Sequence, residues 1–267
     1  MPAQQPPLRL DQVSYDVRFE WGPAGAAALA PSSSCLVVVD VLSFSTSVTV
    51  AAQAGTRVYP CAWPDESAAE FARSRQAELA VGRRVVSATR PWSLSPAALR
   101  RAPFVPRLVL PSPNGSAICA GGGAGDVTVI AGCLRNAAAV GRFLRGSPGA
   151  VTVIAAGERW PDGSLRPALE DLFGAGAILA ALRDLGDLQA LATLGNAGPG
   201  ALSPEAEAAR ACFEATADVA AAVSGCASGR ELIEGGFGDD VAIAVEIDAC
   251  RLVPVLAGGA FTAAIGQ

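Results

Sequence analysis

The chain has no histidine and no lysine; all 20 of its basic residues are arginine. These absences exclude Ser-His-Asp and Cys-His catalysis, histidine zinc ligands, a lysine Schiff base and the P-loop lysine. Acid–base chemistry then falls to Asp, Glu, Cys, Tyr or water activated by a metal. No C-x-x-C pair occurs among the seven cysteines, and their number is odd. They read as reduced core residues, not as a disulfide set or a zinc site. No run of 18 or more apolar residues is present, so no membrane span is expected. The opening segment MPAQQPPLRLDQ lacks the charged start and apolar core of a secretion signal. It reads as a frayed tail, and the expected location is cytoplasmic. Positive charge is short as well. A net charge of −5 argues against nucleic acid and anionic membranes as partners.

What is present can build a large core. Hydrophobic residues make up 51% and charged residues 17% of the 267 positions, the balance of an ordered globular protein. Short apolar runs predict strands at Tyr15–Trp21, Leu36–Leu42, Arg57–Cys61, Arg107–Leu110, Val127–Ala131, Val151–Ala155, Val241–Ile247 and Leu252–Leu256. Helical stretches lie between most of them: Pro23–Ala30, Ser47–Ala54, Asp65–Glu78, Pro113–Ala120, Arg135–Leu144, Pro167–Leu185 and Pro204–Val223. This alternation predicts a single α/β domain over 1–267, with a mainly parallel or mixed sheet and helices on both faces. Ser203-Pro204 and Ser95-Pro96 encode helix starts, and Ser228 with Glu231 fits a capping box before Gly235-Gly236. Glycines 174 and 176 predict close backbone packing of a buried helix. Residues 82–107, rich in arginine and proline, read as a long excursion or lid with one short helix near 96–101. The GGGAG run at 121–125 reads as a helix stop and turn.

Three strand ends carry polar groups. The first is LVVVDVLSFSTSVTVA, residues 36–51. Asp40 ends a buried strand, and Ser45, Thr46 and Ser47 sit near the next helix start. Open α/β sheets bind ligands at such ends, and a helix N-terminus favours an anion. Asp40 is thus a candidate metal or water ligand; the plainer account is an acid that caps the next turn. The second is Pro111-Ser112-Pro113-Asn114-Gly115-Ser116, suited to phosphate or a similar oxyanion, or to an ordinary turn. The third, Ala156-Gly157-Glu158-Arg159-Trp160, leads toward Glu170 and Asp171. That acidic pair complements a helix dipole, or joins Asp40 in a hard-oxygen site for Mg²⁺. Asp239 and Asp240 read equally as a turn or as a further acidic contribution.

Five segments in order resemble the 2-phosphosulfolactate phosphatase family: VVVDVLSFSTSVTVAAQAG, LPSPNGSAI, GCLRNAAAV, AAGERW with ALEDLFGAGAIL, and SGRELIEGGFGDDVAIAVEIDACRLVPVL. The resemblance implies an α/β fold and Mg²⁺-dependent removal of phosphate from the 2-position of sulfolactate, a step toward coenzyme M. It places Asp40, Ser45, Thr46, Ser47, Asn114, Gly115, Ser116, Asn136, Glu170 and Asp171 at the family's marked positions. Two departures stand out. Ser43 occupies the place of an arginine, and Gly82-Arg83-Arg84 that of Gly-Glu-Arg. Arg83 or Arg84 is the candidate to replace the lost cation, and a changed substrate is the other explanation.

The resulting expectation is a phosphomonoesterase acting on a small anionic phosphorylated substrate. Asp40 with Glu170 or Asp171 holds Mg²⁺, and the helix starts at 45–47 and 114–116, with Asn136, meet the phosphate. Carboxylates then set the pH dependence, on the acidic side. Covalent catalysis through Asp40 is disfavoured, because Leu42 stands where a D-x-D pattern needs its second acid. The alternatives are a non-catalytic binder of a small anionic metabolite, a phosphatase of a related phosphoester, and a thiol hydrolase using Cys119 or Cys133. The sequence leaves homo-oligomerisation open.

Overall fold

A computed structural model of the protein describes residues 12–62, 66–122, 127–183 and 201–265. The expected N-terminal tail and most of the GGGAG run lie outside these residues.

Among the described residues, nine strands form one mixed sheet. One parallel block contains β1 (Val17–Trp21), β7 (Val151–Ala155), β2 (Cys35–Val39) and β6 (Thr128–Gly132), in that spatial order. A second contains β3 (Arg57–Cys61), β5 (Arg107–Pro111) and β4 (Glu78–Leu79). The antiparallel hairpin of β10 (Leu252–Ala257) and β11 (Ala260–Ile265) joins them. It touches each block through one antiparallel residue pair, Val255 with Ile130 and Phe261 with Val58. The two blocks therefore run in opposite senses. Adjacent strands rotate by roughly 20–25°, so strand ends far apart in a flat sheet can approach one another. A separate two-stranded ribbon pairs β8 (Glu158–Arg159) with β9 (Leu165–Arg166).

Every residue of β2 is buried, because both faces of the sheet are covered. Val37 and Val39 face one cluster with α6 (Ala137–Arg145), α7 (Leu169–Arg183) and α8 (Pro204–Glu214). Leu36 and Val38 face the other, with α1 (Gly22–Leu29), α2 (Phe44–Gln53) and α5 (Gly115–Gly122). The α/β expectation is met. The α7 glycines pack as expected: a Cβ on Gly176 would lie 2.3 Å from the Ala209 carbonyl oxygen, and one on Gly174 would lie 2.7 Å from Val41. No helix among the described residues is long and apolar enough to cross a membrane.

Four local expectations are corrected. Val241–Ile247 is not a strand: helix α11 spans Gly238–Ala244. Its V-A-I-A-V alternation mimics a strand, but Asp239 and Asp240 suit the first turn of a helix. The stretch Pro204–Val223 divides into α8 and α9 (Val219–Gly225), because the Asp218 side chain accepts from the Ala221 amide and starts a new helix. Helix α10 (Ala227–Glu234) is capped by Cys226, whose sulfur accepts from Gly229, and not by Ser228. The apolar-run pattern does not predict strand β11. Its signal was Gly258-Gly259, both with positive φ, which turns the hairpin.

Within 82–107 the short helix α4 (Pro96–Arg101) forms where expected, with the Ser95 hydroxyl accepting from Ala98. This excursion is fastened to α11. Asp240 accepts from the Ser95 hydroxyl at 2.6 Å and from the Ala97 amide at 3.0 Å. Arg101 pairs with Asp239, and Arg100 with Glu246 just beyond α11.

Candidate active site

Asp40 follows β2 directly, and its carboxylate is buried. One oxygen accepts from the Phe44 amide and the other from the Gly115 amide, both at 2.9 Å. A single carboxylate thus ties the starts of α2 and α5 to the end of β2. Asp171, in the first turn of α7, does the same for two strand ends. It accepts from Val41 N at 2.7 Å and from Gly157 N at 2.8 Å. Glu170 is buried beside it and accepts from the Cys226 thiol at 3.2 Å. Glu158 on β8 accepts from the Asn114 side-chain amide at 3.0 Å. The contacts therefore connect 40, 114–115, 158 and 170–171 in one region.

These acids perturb one another. Burial pushes Asp40 up, the Phe44 and Gly115 amides and Arg83 oppose the shift, and Glu170 reinforces it. Asp171 is driven well above the usual carboxylate range by burial, then by Asp40 and Glu170. Burial, with Asp40 next, pushes Glu158 up to about 7, against the Asn114 hydrogen bond. Two arginines border the acids. Arg83 Nη2 donates to Ser43 Oγ at 2.5 Å and Nε to Asp240 at 3.1 Å. A guanidinium from the excursion thus reaches Ser43, the position where the resemblance calls for an arginine. Arg166, on β9, donates to Ser228 Oγ at 3.0 Å and counters the upward shift of Glu158.

The polar residues expected to meet phosphate are differently employed. The Ser45 hydroxyl donates to Val38 O, that of Thr46 to Val41 O, and that of Ser116 to Leu110 O. Asn136 accepts from Cys133 N and donates to Ala131 O and Leu252 O, closing the turn after β6. Ser47 differs: its hydroxyl is buried without a hydrogen-bond partner among the described residues. Burial also raises the thiols of Cys119 and Cys133, away from the reactive thiolate.

The sequence pattern places Glu158 in a polar strand end without singling it out, and it does not single out Arg166. The signal for Glu158 was its place one residue past the Gly157 turn. Among the described residues, no three acidic or sulfur side chains converge as a ready-made metal cage. Mg²⁺ rarely needs one, since it takes one or two carboxylates together with substrate phosphate and water. Mutually repelling, buried, hard-oxygen acids fit that partial donor set, because a divalent cation would relieve the repulsion.

Comparison with known proteins supplies the chemistry. The family model for 2-phosphosulpholactate phosphatase matches residues 26–259 of the 267. No curated protein matches the chain. The match covers every strand but β1 and β11 and every acid of the site, so the chain belongs to the 2-phosphosulpholactate phosphatase family, a family of phosphoric monoester hydrolases.

Proposed function

We propose that this protein is a Mg²⁺-dependent phosphatase acting on the phosphate monoester of a small 2-hydroxy acid. Its substrate is (2R)-2-phospho-3-sulfolactate, and its products are 3-sulfolactate and phosphate. The observation that carries this reading is the connection of Asp40, Glu158, Glu170 and Asp171 through helix starts and strand ends. Such acids without a histidine or lysine among them suit a cation better than an anion alone.

Glu170 would hold the metal, with Asp40 contributing a lone pair beyond its own two main-chain hydrogen bonds. Asp171 likewise accepts from two main-chain amides and fixes the strand end that carries Asp40. When bound, Mg²⁺ supplies charge neutralisation at the phosphoryl oxygens. Arg83 and Arg166 offer guanidinium groups to the negative substituents of the substrate. Asn114, whose side-chain amide donates to Glu158, adds a polar group beside the acids. Ser45, Thr46, Ser116 and Asn136 act one step back, by holding the backbone that shapes the cradle. Phosphoryl transfer has a loose transition state and demands little deprotonation of water. The leaving alkoxide does need a proton. Glu158, held near neutrality and less buried than the other three acids, donates it.

Phosphate release from 2-phospho-3-sulfolactate, with Mg²⁺ and with EDTA, tests the reading. Release is expected only with the metal. Equal rates in both would remove Mg²⁺ from the reaction. Saturable binding without release would identify a non-catalytic binder.

A further inference from the structure

Arg83 reaches Ser43 from a distant part of the chain, and what holds it there is unusual. Its Nε donates to Asp240 Oδ2 at 3.1 Å, and Asp240 is 1% exposed. A buried carboxylate is costly unless its lone pairs are used. Asp240 accepts three hydrogen bonds: Oδ1 takes the Ser95 hydroxyl and the Ala97 amide, leaving Oδ2 to face Arg83. Fixing Nε sets the plane and direction of the whole guanidinium. Nη2 then meets Ser43, the residue just before α2, and the positive charge opposes the upward shift that burial gives Asp40. A guanidinium has five N–H donors. Two are committed to Asp240 and Ser43, and the other three meet no protein acceptor among the described residues. A cleft of about 370 Å³ opens beside it, lined by Gly82–Val85, Glu231, Leu232 and Phe237. The Phe237 ring, 6.0 Å from the guanidinium carbon, supports one side of Arg83.

We propose that Arg83 is a substrate-binding residue that grips an anionic group of the substrate with its uncommitted N–H donors, and that Asp240 is its positioning residue. The same carboxylate couples the 82–107 excursion to the site, because it fastens α4 with one oxygen and aims Arg83 with the other. The excursion thus delivers a cation that the β2–α2 turn itself lacks. This inference rests on the phosphatase reading for the identity of the anion, but not for the binding geometry.

Arg83→Gln, Asp240→Asn and the double variant test it, each measured for melting temperature, KM, kcat and calorimetric binding of 3-sulfolactate. Losing a charge-assisted contact is expected to raise KM and weaken binding about ten- to hundredfold in Arg83→Gln, with kcat changed less. Asp240→Asn keeps an oxygen for Ser95 and Ala97 but turns an amide N–H₂ toward Nε. It is expected to reproduce most of that loss, and the double variant to bind no worse than Arg83→Gln, since both changes remove one contact. Arg83→Lys should recover part of the affinity. Additive losses in the double variant, or lower melting temperature with unchanged KM and binding, would make Asp240 purely structural and overturn the proposal. Normal affinity in Arg83→Gln would overturn it while leaving the phosphatase reading intact. Wild-type protein that binds 3-sulfolactate through Arg83 but releases no phosphate would sustain the proposal and end the reading.

Discussion

Replacing Gly115 with alanine probes the joint on which the site depends. A Cβ there would stand 2.5 Å from Phe44 Cδ1, 2.9 Å from Asp40 Oδ2 and 3.0 Å from Phe44 Cγ. Ordinary contacts are longer by most of an ångström. Phe44 cannot retreat freely, because it is fully buried and packs edge-on against Phe261 with centroids 6.1 Å apart. The start of α5 must therefore back away, which stretches the 2.9 Å bond from Gly115 N to Asp40. Overpacking costs about 1–3 kcal/mol, and loss of a hydrogen bond to a charged group costs about 1.5–3 kcal/mol. The two overlap, so a loss of about 3–5 kcal/mol is expected, or roughly 5–9 °C in melting temperature. Displacing Asp40 by about 1 Å should cost roughly 10²-fold in kcat. Thermal melts and phosphate release measure both. Gly225→Ala is the control: its Cβ meets nothing within 4 Å, and it should leave both quantities nearly unchanged. If Gly115→Ala melts within about 2 °C of wild type and keeps its rate, Asp40 is not fixed by this contact and the reasoning fails.

The other predictions concern the acids. Glu158 is raised from 4.5 to about 7, so the folded chain holds a proton that the unfolded chain gives up above pH 4.5. That stabilisation is complete below pH 4.5 and lost as pH rises through about 7, so melting temperature should fall across this window and fall less steeply in Glu158→Gln. The same variant should lower kcat by roughly 10²–10⁴ and lose the alkaline limb of the rate profile; an unchanged profile would assign the proton elsewhere. Asp171→Asn turns an N–H₂ onto one of two main-chain donors, and should lower both stability and rate despite removing a charge from the cluster. A higher melting temperature with normal kcat would show that repulsion outweighs the two hydrogen bonds. Mg²⁺ alone should stabilise the wild type by about 2.7 kcal/mol at 100 times its dissociation constant, and Asp40→Asn should not respond.

Much was legible in the chain itself. The all-apolar β2 predicts a strand covered on both faces, and the acids and glycines at its end and after β5 predict where polar chemistry collects. The missing histidine and lysine restrict that chemistry to carboxylates and arginines before any coordinate is known. These properties follow from residue type and local spacing, which short-range physics controls. What spacing cannot reveal is which atoms remain available. Ser45, Thr46, Ser116 and Asn136 look like phosphate ligands in one dimension, yet their polar groups are taken by main-chain atoms of nearby strands and turns. Val241–Ile247 alternates like a strand, yet it folds as a helix whose Asp240 meets Arg83 across 157 residues. Burial and repulsion raise Glu158 only after the ribbon brings it to Asp40 and Asn114. Hydrogen-bond assignment and electrostatic coupling depend on distances between segments remote in sequence, and only the tertiary structure sets those distances.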